Sequence, residues 1–257
     1  MTTISGIMCT WEEETMAPTV IEAVAPYIDE LVVINMPGRD NTGAAIKNKC
    51  TEIGLPLKYT ENHMKLRYAR LEAFRQAESD WCLIVDGDEV YHTDGPAGAH
   101  TLQRLIEEAP RKGCVYRAPM NYLYLDFLHS RRFPPQKAAH KFFYCNDEKI
   151  CRMSQKRNLP KYRGKHITLP NVYKFNCGIK HPDRILLRNN FLIEWRKRYD
   201  GELGFYEWVK KNTDYRLGVN TLEKLYNHNN VILYDEDKWG VRPKIIRDMI
   251  EKGVNRP

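Results

Sequence analysis

The sequence predicts an α/β fold in which a mostly parallel sheet is flanked by helices. Over residues 1–92, short apolar runs alternate with amphipathic segments and breaker-rich turns, and repeated strand–helix units of this kind imply a parallel sheet wound right-handedly. The apolar run at 81–85 ends abruptly in the acidic turn Asp86-Gly87-Asp88-Glu89. Such a run is typical of a strand covered on both faces. With 257 residues and 42% hydrophobic content, the chain can bury the core of one large domain.

The elements of this first part follow from apolar periodicity and from breakers. Apolar runs predict strands, amphipathic spacing predicts helices, and Gly54 is expected to close the second helix. The predicted strands cover residues 4–10, 31–34, 57–60 and 81–85, and the predicted helices cover residues 18–25, 44–53 and 65–78.

Beyond Tyr91 the strand–helix alternation is lost. The polar stretch 146–180 shows no clear period and predicts loops that order on substrate, whereas Pro182 suits the first turn of a helix. The other predictions are a Gly/Pro-rich loop at 93–98, a short helix at 102–109, strands at 114–118 and 141–145 joined by an aromatic, basic connection, a helix at 182–199 and short helices in the tail.

Composition and charge favour a soluble, cytoplasmic protein. The start of the chain has neither a basic leader nor an apolar stretch of signal length, and no segment approaches the roughly 20 apolar residues of a membrane span. Seven cysteines occur without a C-x-x-C pair, which favours reduced thiols. The net charge is +7, with Lys and Arg concentrated between residues 131 and 165. This basic stretch either holds a polyanion or is a solvated loop.

The acidic turn is the main candidate for chemistry because open α/β sheets bind ligands beyond the carboxyl ends of their strands. Gly87 would let the backbone turn sharply, so that Asp86 and Asp88 converge on a hard divalent cation, a natural partner of a nucleotide diphosphate. An EF-hand fails because Val90 stands where a ligand is required, and neither a P-loop nor a dinucleotide fingerprint occurs. A hairpin at Asp86-Gly87 would need an alternating strand directly after it, and residues 92–96 do not supply one.

Three segments, in order, resemble the nucleotide-sugar half of GT-A-fold, family 2-like glycosyltransferases. They are Thr10-Trp11-Glu12-Glu13-Glu14 after the first strand, residues 35–42 after the second strand, and the D-x-D motif at 86–88. The resemblance implies one Rossmann-like GT-A domain over 1–257. Within it we expect a nucleotide-sugar half (1–92), a loop-rich acceptor half (93–200) and a C-terminal helical tail (201–257).

The resemblance also implies a nucleotide-sugar donor, with a UDP-sugar favoured, and Mn²⁺ or Mg²⁺. Asp88 would bind the metal directly, and Asp86, with Gly87 beside it, would contact ribose or bind the metal through water. The ion would stabilise charge on the departing diphosphate. His181, just before Pro182, resembles the His that supplies a further ligand in many GT-A enzymes, although a lone His is often structural or exposed.

The nucleoside and diphosphate contacts are also implied by the resemblance. The residues lining the nucleoside pocket would be Thr10, Glu12 and Asp40. Where the family has an acidic residue at the end of the second strand, this chain has Asn35, so the base contact could differ or shift to Asp40. Glu13 and Glu14 are predicted to be solvated charges at a helix start. The diphosphate contacts would be Lys65, Arg67 and Arg70, which open a helix where cations oppose its dipole but suit a bound anion.

An inverting transfer requires a carboxylate that deprotonates the acceptor hydroxyl. The two candidates are Asp126, in an aromatic stretch, and Asp183, beside His181. Asp183 could instead cap its helix, and Asp126 could pair with Arg131 or Arg132.

The predicted function is a metal-dependent glycosyltransferase that moves a sugar to an acceptor hydroxyl, with inversion favoured. The acceptor is a glycan or glycolipid, or a hydroxymethylated DNA base gripped by the basic, aromatic second half. Two alternatives remain open. A sugar nucleotidyltransferase would want a glycine-rich loop after the first strand, and a non-catalytic nucleic-acid-binding module would leave the acidic turn unexplained.

Overall fold

A mixed β-sheet with helices on both faces organises the chain. The computed structural model describes residues 3–63, 66–92, 114–124, 126–131, 136–146, 151–153, 160–162, 165–169, 174–178, 205–212 and 231–254. The strands are β1 (Ile4–Thr10), β2 (Glu30–Asn35), β3 (Leu57–Glu61), β4 (Trp81–Ile84), β5 (Glu89–Tyr91), β6 (Cys114–Tyr124), β7 (His129–Arg131), β8 (Gln136–Cys145), β9 (Cys151–Met153), β10 (Pro160–Tyr162), β11 (Lys165–Thr168), β12 (Lys174–Gly178) and β13 (Val231–Leu233). The helices are α1 (Ala17–Val24), α2 (Thr42–Ile53), α3 (Leu66–Gln76), α4 (Phe205–Asn212), α5 (Glu236–Trp239) and α6 (Lys244–Glu251).

The sheet is parallel in its first part and mixed beyond it. Neighbouring strands follow the order β3-β2-β1-β4-β8-β6-β12-β5, and β11 pairs with β6. The first four of these pair in parallel, β8 runs antiparallel between β4 and β6, and β5 runs antiparallel to β12. Since β12 is parallel to β6, the carboxyl ends of β1, β2, β4, β6 and β12 lie along one edge of the sheet.

Two hydrophobic clusters cover the two faces of this sheet. In β2, Leu31 and Val33 belong to one cluster, whereas Val32 and Ile34 belong to the other. Successive strand residues point to opposite faces, so a strand buried on both faces must be apolar throughout. α1 and α2 pack into the first cluster and α3 packs into the second. The predicted α/β architecture is therefore confirmed.

Local contacts explain where α2 begins and where it ends. Gly54 has a φ of 70° and its N–H donates to the carbonyl of Cys50, so glycine closes the helix in the left-handed conformation as predicted. At the other end, the Thr42 N–H donates to Asp40 Oδ1 at 3.2 Å. This contact lets α2 begin two residues earlier than the periodicity predicted.

The second part of the sheet differs from the sequence prediction. β6 continues to Tyr124, so residues expected to form a connection complete the strand. The loop prediction for 146–180 is wrong for β9 to β12. β9 and β10 pair with each other, and β11 and β12 pair with β6, which is distant in sequence. The predicted helices at 102–109 and 182–199 lie outside the described residues. α4, α5 and α6 confirm short helices in the tail, to which β13 adds a strand paired with β7.

In the described ranges, α2 is the longest helix, at 12 residues. No helix there has both the length and the apolar character needed to cross a membrane.

Candidate functional site

A chain of hydrogen bonds joins the carboxyl ends of β1, β2 and β3. The Thr10 hydroxyl donates to Asn35 Oδ1 at 2.9 Å, and Asn35 Nδ2 donates to the Tyr59 hydroxyl at 3.1 Å. Tyr59 in turn donates to Glu61 Oε2 at 2.7 Å. Burial and the bond to Glu61 raise the pKa of Tyr59 to about 12. Thr10 and Asn35 thus bind each other, and both ends of the Asn35 amide are engaged within the protein. Their nucleoside contacts stay a prediction.

Sequence reasoning missed Tyr59 and Glu61 as members of this network. Both belong to β3, whose carboxyl end lies beside that of β2. Their positions near the end of a predicted strand were the available indication, because neighbouring parallel strands bring such residues to one edge.

The loop after β1 is fastened to the loop after β2 by Glu12. Glu12 has a φ of 56°, a left-handed conformation that costs a non-glycine residue roughly 1–2 kcal/mol. Its Oε1 accepts a hydrogen bond from the Arg39 N–H at 2.9 Å. The side chain also covers Gly38, where an added Cβ would lie 2.4 Å from Glu12 Cγ. In the described structure Glu12 therefore contacts the neighbouring loop, and its nucleoside contact stays a prediction.

Asp40 links the same two loops to α2. Its Oδ1 accepts from the Thr42 hydroxyl at 2.7 Å, and its Oδ2 accepts from the Glu14 N–H at 3.0 Å. Glu14 in turn accepts from the Asn41 N–H at 3.0 Å. These bonds favour a structural role for Asp40, and a shift of the base contact to this residue stays a prediction.

Glu13 is buried, with 5% of its surface exposed, so the prediction of a solvated charge is wrong for this residue. Its N–H donates to the Thr42 hydroxyl at 2.7 Å. A Cβ added to Gly87 would lie 3.0 Å from Glu13 Cγ and 2.7 Å from Thr10 Cγ2. The acidic turn therefore packs directly against the segment that follows β1, which leaves no room for a side chain at position 87.

Asp86 forms a buried ion pair with Arg70 of α3. Burial alone would lower the pKa of Arg70, but the charge of Asp86 raises it above its ordinary value. Burial also raises the pKa of the nearby Cys9 thiol to about 12. The Oδ1 atom of Asp86 is buried and has no hydrogen-bond partner among the described residues. Arg70 thus contacts Asp86, and its predicted contact with the diphosphate stays a prediction. Lys65 lies outside the described residues, as does the side chain of Arg67.

Asp88 and Glu89 are held by β12. The Asp88 carbonyl accepts from the Cys177 N–H at 2.6 Å, and Glu89 forms a buried ion pair with Lys174. Burial and the charges of Asp86 and Asp88 raise the pKa of Glu89, against the opposing charge of Lys174. β5 pairs with β12 and has no pairing with β4, so the rejection of a hairpin at this turn is confirmed. Lys174 was not predicted, since nothing in its local sequence points to a partner 85 residues away.

Asp126 follows the end of β6 and is engaged by its own loop. Its Oδ1 accepts from the N–H groups of Leu128 at 2.9 Å and His129 at 2.8 Å. His129 Nδ1 lies 2.8 Å from both carboxylate oxygens. The observed partner is thus His129, whereas the sequence suggested Arg131 or Arg132. The other candidate base, Asp183, lies outside the described residues.

No three His, Cys, Asp or Glu side chains within the described ranges lie close enough together to hold a metal ion. The predicted ligand set includes His181, which lies outside those ranges. Asp86 and Asp88 both belong to the acidic turn at the carboxyl edge, with Arg70 on Asp86. The metal assignment therefore stays a prediction.

The fold is an α/β domain whose strand-end residues meet at the carboxyl edge of a mixed sheet. A family model described as "Glycosyl transferase family 2" matches residues 5–242. The chain therefore belongs to glycosyl transferase family 2, which confirms the resemblance and, at the level of the family, the predicted enzyme class. The family assignment favours glycosyl transfer over nucleotidyl transfer or simple nucleic-acid binding.

Individual relatives are distant. A TPR repeat-containing protein of Synechococcus elongatus is 33% identical over 89 residues, which cover 35% of this chain and 21% of that protein. The chain thus spans about a fifth of that relative.

The solved structures that match this chain include proteins of two bacteria. TarS of S. aureus has 15% identity and a TM-score of 0.48, and the match covers 79% of this chain and 41% of TarS. A shorter TarS structure, residues 1–349 in complex with UDP, has 15% identity and a TM-score of 0.47, with 79% and 68% covered. Glucosyl-3-phosphoglycerate synthase from Mycobacterium tuberculosis, in complex with Mn²⁺, UDP and phosphoglyceric acid, has 16% identity and a TM-score of 0.35, with 47% and 43% covered.

Proposed function

We propose that this chain transfers a sugar from a UDP-sugar to an acceptor hydroxyl, with Mn²⁺ or Mg²⁺ at the acidic turn. The observation that carries the proposal is the packing of Asp86-Gly87-Asp88 against Thr10 at the carboxyl edge of a family 2 sheet. This packing brings the turn beside the strand ends where α/β proteins bind nucleotides.

The residues present fit a hard divalent cation. Carboxylate oxygens are its preferred ligands, and Asp86 Oδ1 is a buried acceptor without a hydrogen-bond partner among the described residues. We assign Asp88 and His181 as direct ligands, and Asp86 as an indirect one because Arg70 already engages its other oxygen. When bound, the cation would neutralise charge on the diphosphate leaving group.

The chain's own residues would orient the donor. The side chains of Thr10, Asn35 and Tyr59 are held in place by their mutual hydrogen bonds. The nucleoside would bind against them, with Glu12 and Asp40 beside it. Lys65 and Arg67, at the start of α3, would neutralise the diphosphate. Arg70 would act through Asp86, whose carboxylate it fixes.

We assign Asp183 as the base that takes the proton from the acceptor hydroxyl in an inverting displacement. Asp126 supports this choice indirectly, because two backbone N–H groups and His129 already occupy its carboxylate. Asp126 would then hold the loop at the end of β6.

The acceptor class is a glycan or glycolipid, the common acceptors of this family. A hydroxymethylated DNA base is the second candidate, which the basic stretch between residues 131 and 165 favours.

Six cysteines among the described residues are free thiols, which supports a reducing cytoplasmic location.

The test is nucleotide release by the full chain from a panel of nucleotide sugars with Mn²⁺, with and without hydroxymethylated DNA. We expect release from a UDP-sugar that EDTA abolishes and that Asp88→Asn lowers by roughly 100-fold or more. Asp80→Asn is the control, because Asp80 is exposed, precedes β4 at the opposite edge, and its carboxylate accepts from the Thr3 N–H at 3.1 Å. Metal-independent turnover, or full activity in Asp88→Asn, would contradict the proposal.

A further inference from the structure

A buried ion pair lies directly beside the acidic turn. Glu89 is the first residue of β5 and follows Asp88, and Lys174 is the first residue of β12. Only 7% of Glu89 and 3% of Lys174 is exposed. The two strands run antiparallel, with Lys174 opposite Tyr91 and Asn176 opposite Glu89. The pair therefore bridges the strand that leaves the acidic turn and the strand that leads towards His181.

Stability alone does not account for this pair. The Lys174 ammonium lies 5.8 Å from the centre of the Tyr91 ring, and only 1% of Tyr91 is exposed, so the pair lies in an apolar environment. Well-packed apolar residues in place of a buried ion pair are often neutral or stabilising, because desolvation of two charges offsets their attraction. A charged pair at this position is therefore better explained by what it does to the neighbouring carboxylates.

The pair belongs to a three-point clamp on the acidic turn. The Tyr91 hydroxyl donates to the Ile84 carbonyl at 2.6 Å, which ties the strand after the turn to the strand before it. The Cys177 N–H donates to the Asp88 carbonyl at 2.6 Å. The ion pair between Lys174 and Glu89 is the third point. Of the three contacts it alone is made by charged side chains, and the charges of Asp86 and Asp88 act on Glu89.

We propose that Glu89 is a positioning residue for cation binding: it holds the Lys174 ammonium away from Asp88. This inference rests on the proposed metal site. The charges of Asp86 and Asp88 act on Glu89. Without the Glu89 charge, the buried ammonium beside the turn would lose its ion-pair partner and would compete with a divalent cation for these carboxylates. Partners of metal ligands typically change metal affinity by roughly 10- to 100-fold when they are mutated.

The experiment measures Mn²⁺ affinity by electron paramagnetic resonance of free Mn²⁺, with and without UDP, together with the melting temperature. Glu89→Gln is expected to weaken Mn²⁺ binding by about 10-fold or more. The neutral, similarly sized double variant Lys174→Met/Glu89→Gln removes the competing ammonium, so its affinity should return to within about 3-fold of the parent. Recovery in the double variant would not follow from a purely structural role.

A matched control is available in another lysine–glutamate pair that bridges neighbouring strands. Lys58 of β3 and Glu30 of β2 lie 2.9 Å apart, far along the sequence from the acidic turn. Glu30→Gln and Lys58→Met/Glu30→Gln should leave Mn²⁺ affinity unchanged. If Glu89→Gln does not fold, Glu89→Asp retains the charge but shortens the side chain, and it should still weaken binding by several-fold.

The outcomes separate this inference from the proposed function. Parent-like Mn²⁺ affinity in a folded Glu89→Gln or Glu89→Asp variant would overturn the positioning role while leaving the metal site intact. A double variant that binds as weakly as Glu89→Gln would also overturn it. A parent chain that binds no Mn²⁺, with or without UDP, would overturn both.

Discussion

Gly87 lies so close to the end of β1 that an added Cβ would be 2.7 Å from Thr10 Cγ2. The sequence suggested that a glycine was needed there for a sharp turn. In the structure, the described glycines with positive φ are Gly54, Gly240 and Gly253, so Gly87 is required for close approach. A local sequence cannot distinguish these reasons, because the atoms that exclude a side chain come from another segment.

The substitution Gly87→Ala should therefore damage the acidic turn. The new methyl group would push the turn away from Thr10 and Glu13, and we expect nucleotide release to fall by about 10-fold or more. The measurement is nucleotide release alongside thermal unfolding.

Gly54→Ala provides the control for Gly87→Ala. Nothing lies within 4 Å of a Cβ at Gly54, but its φ of 70° disfavours alanine. This variant should lose about 1 kcal/mol of unfolding free energy and retain parent activity. Equal activity in the two alanine variants would show that the close packing at Gly87 is unimportant for the reaction.

The raised pKa values of the Cys9 and Cys50 thiols can be tested by the pH dependence of their reactivity. Burial raises the pKa of Cys9 to about 12 and that of Cys50 to about 11. Between the ordinary pKa and these values the folded state binds more protons than the unfolded state, so the stability contributed by these groups falls as pH rises.

In the folded protein at pH 8, both thiols should therefore react with iodoacetamide on the order of 100-fold more slowly than a free thiol. Labelling should increase as the pH approaches 11, and mass spectrometry of the labelled peptides is the measurement. Urea-unfolded chain, in which both thiols should react normally, is the control. Rapid labelling of Cys9 in folded protein at pH 8 would contradict the raised pKa of this thiol.

At the scale of elements, the first strands and helices were predictable because their apolar periodicity is local. The observed bounds of β1 agree with the predicted range 4–10, and α2 ends where Gly54 indicates. β5 and β12 were not predictable in the same way. A strand of three or five residues has too few positions to show an alternation of apolar and polar residues. β5 forms because it pairs with β12, and β12 also pairs with β6.

Asp40 tests how the loops are joined to α2. Asp40→Ala removes the acceptors for Thr42 and for the Glu14 N–H, and it should cost about 1–2 kcal/mol of unfolding free energy, as loss of a helix cap does. Asp40→Asn keeps one carbonyl acceptor for Thr42. If the role is structural, UDP affinity of this variant should stay near that of the parent. A large loss of UDP affinity with an unchanged melting temperature would instead assign Asp40 to the nucleoside.

At the scale of the whole molecule, the C-terminal segment 231–254 fastens the loop that carries Asp126. Arg242 Nε donates to the Phe127 carbonyl at 2.8 Å, and its Nη1 donates to Glu236 Oε1 at 2.7 Å. The guanidinium also lies 4.6 Å from the centre of the Tyr234 ring. The tail was predicted to be helical, and the structure adds that it closes around the end of β6.

The substitution Arg242→Met should loosen this attachment. It leaves the buried Phe127 carbonyl without its donor, and we expect a loss of about 2–3 kcal/mol of unfolding free energy and faster tryptic cleavage within 231–254. Chemical denaturation and limited proteolysis are the measurements.

Lys244→Met is the control for Arg242→Met, because the contact of Lys244 with Asp248 is exposed and within one helix. It should leave the unfolding free energy unchanged, and cleavage at the tryptic sites of 231–254 other than Lys244 should keep the parent rate. Equal stability of the Arg242 and Lys244 variants would show that the tail is not fastened through Arg242.

The sequence by itself determined the α/β class, the order of the first strands and helices and the acidic turn at a strand end. These features depend on apolar periodicity, breaker residues and motif spacing, all of which are local. Only the tertiary structure decided the partners of the charged residues at the turn. Arg70 reaches Asp86 across 16 residues and Lys174 reaches Glu89 across 85. Whether a buried charge is stabilised depends on which opposite charge the fold brings beside it, and that pairing is not contained in any local pattern.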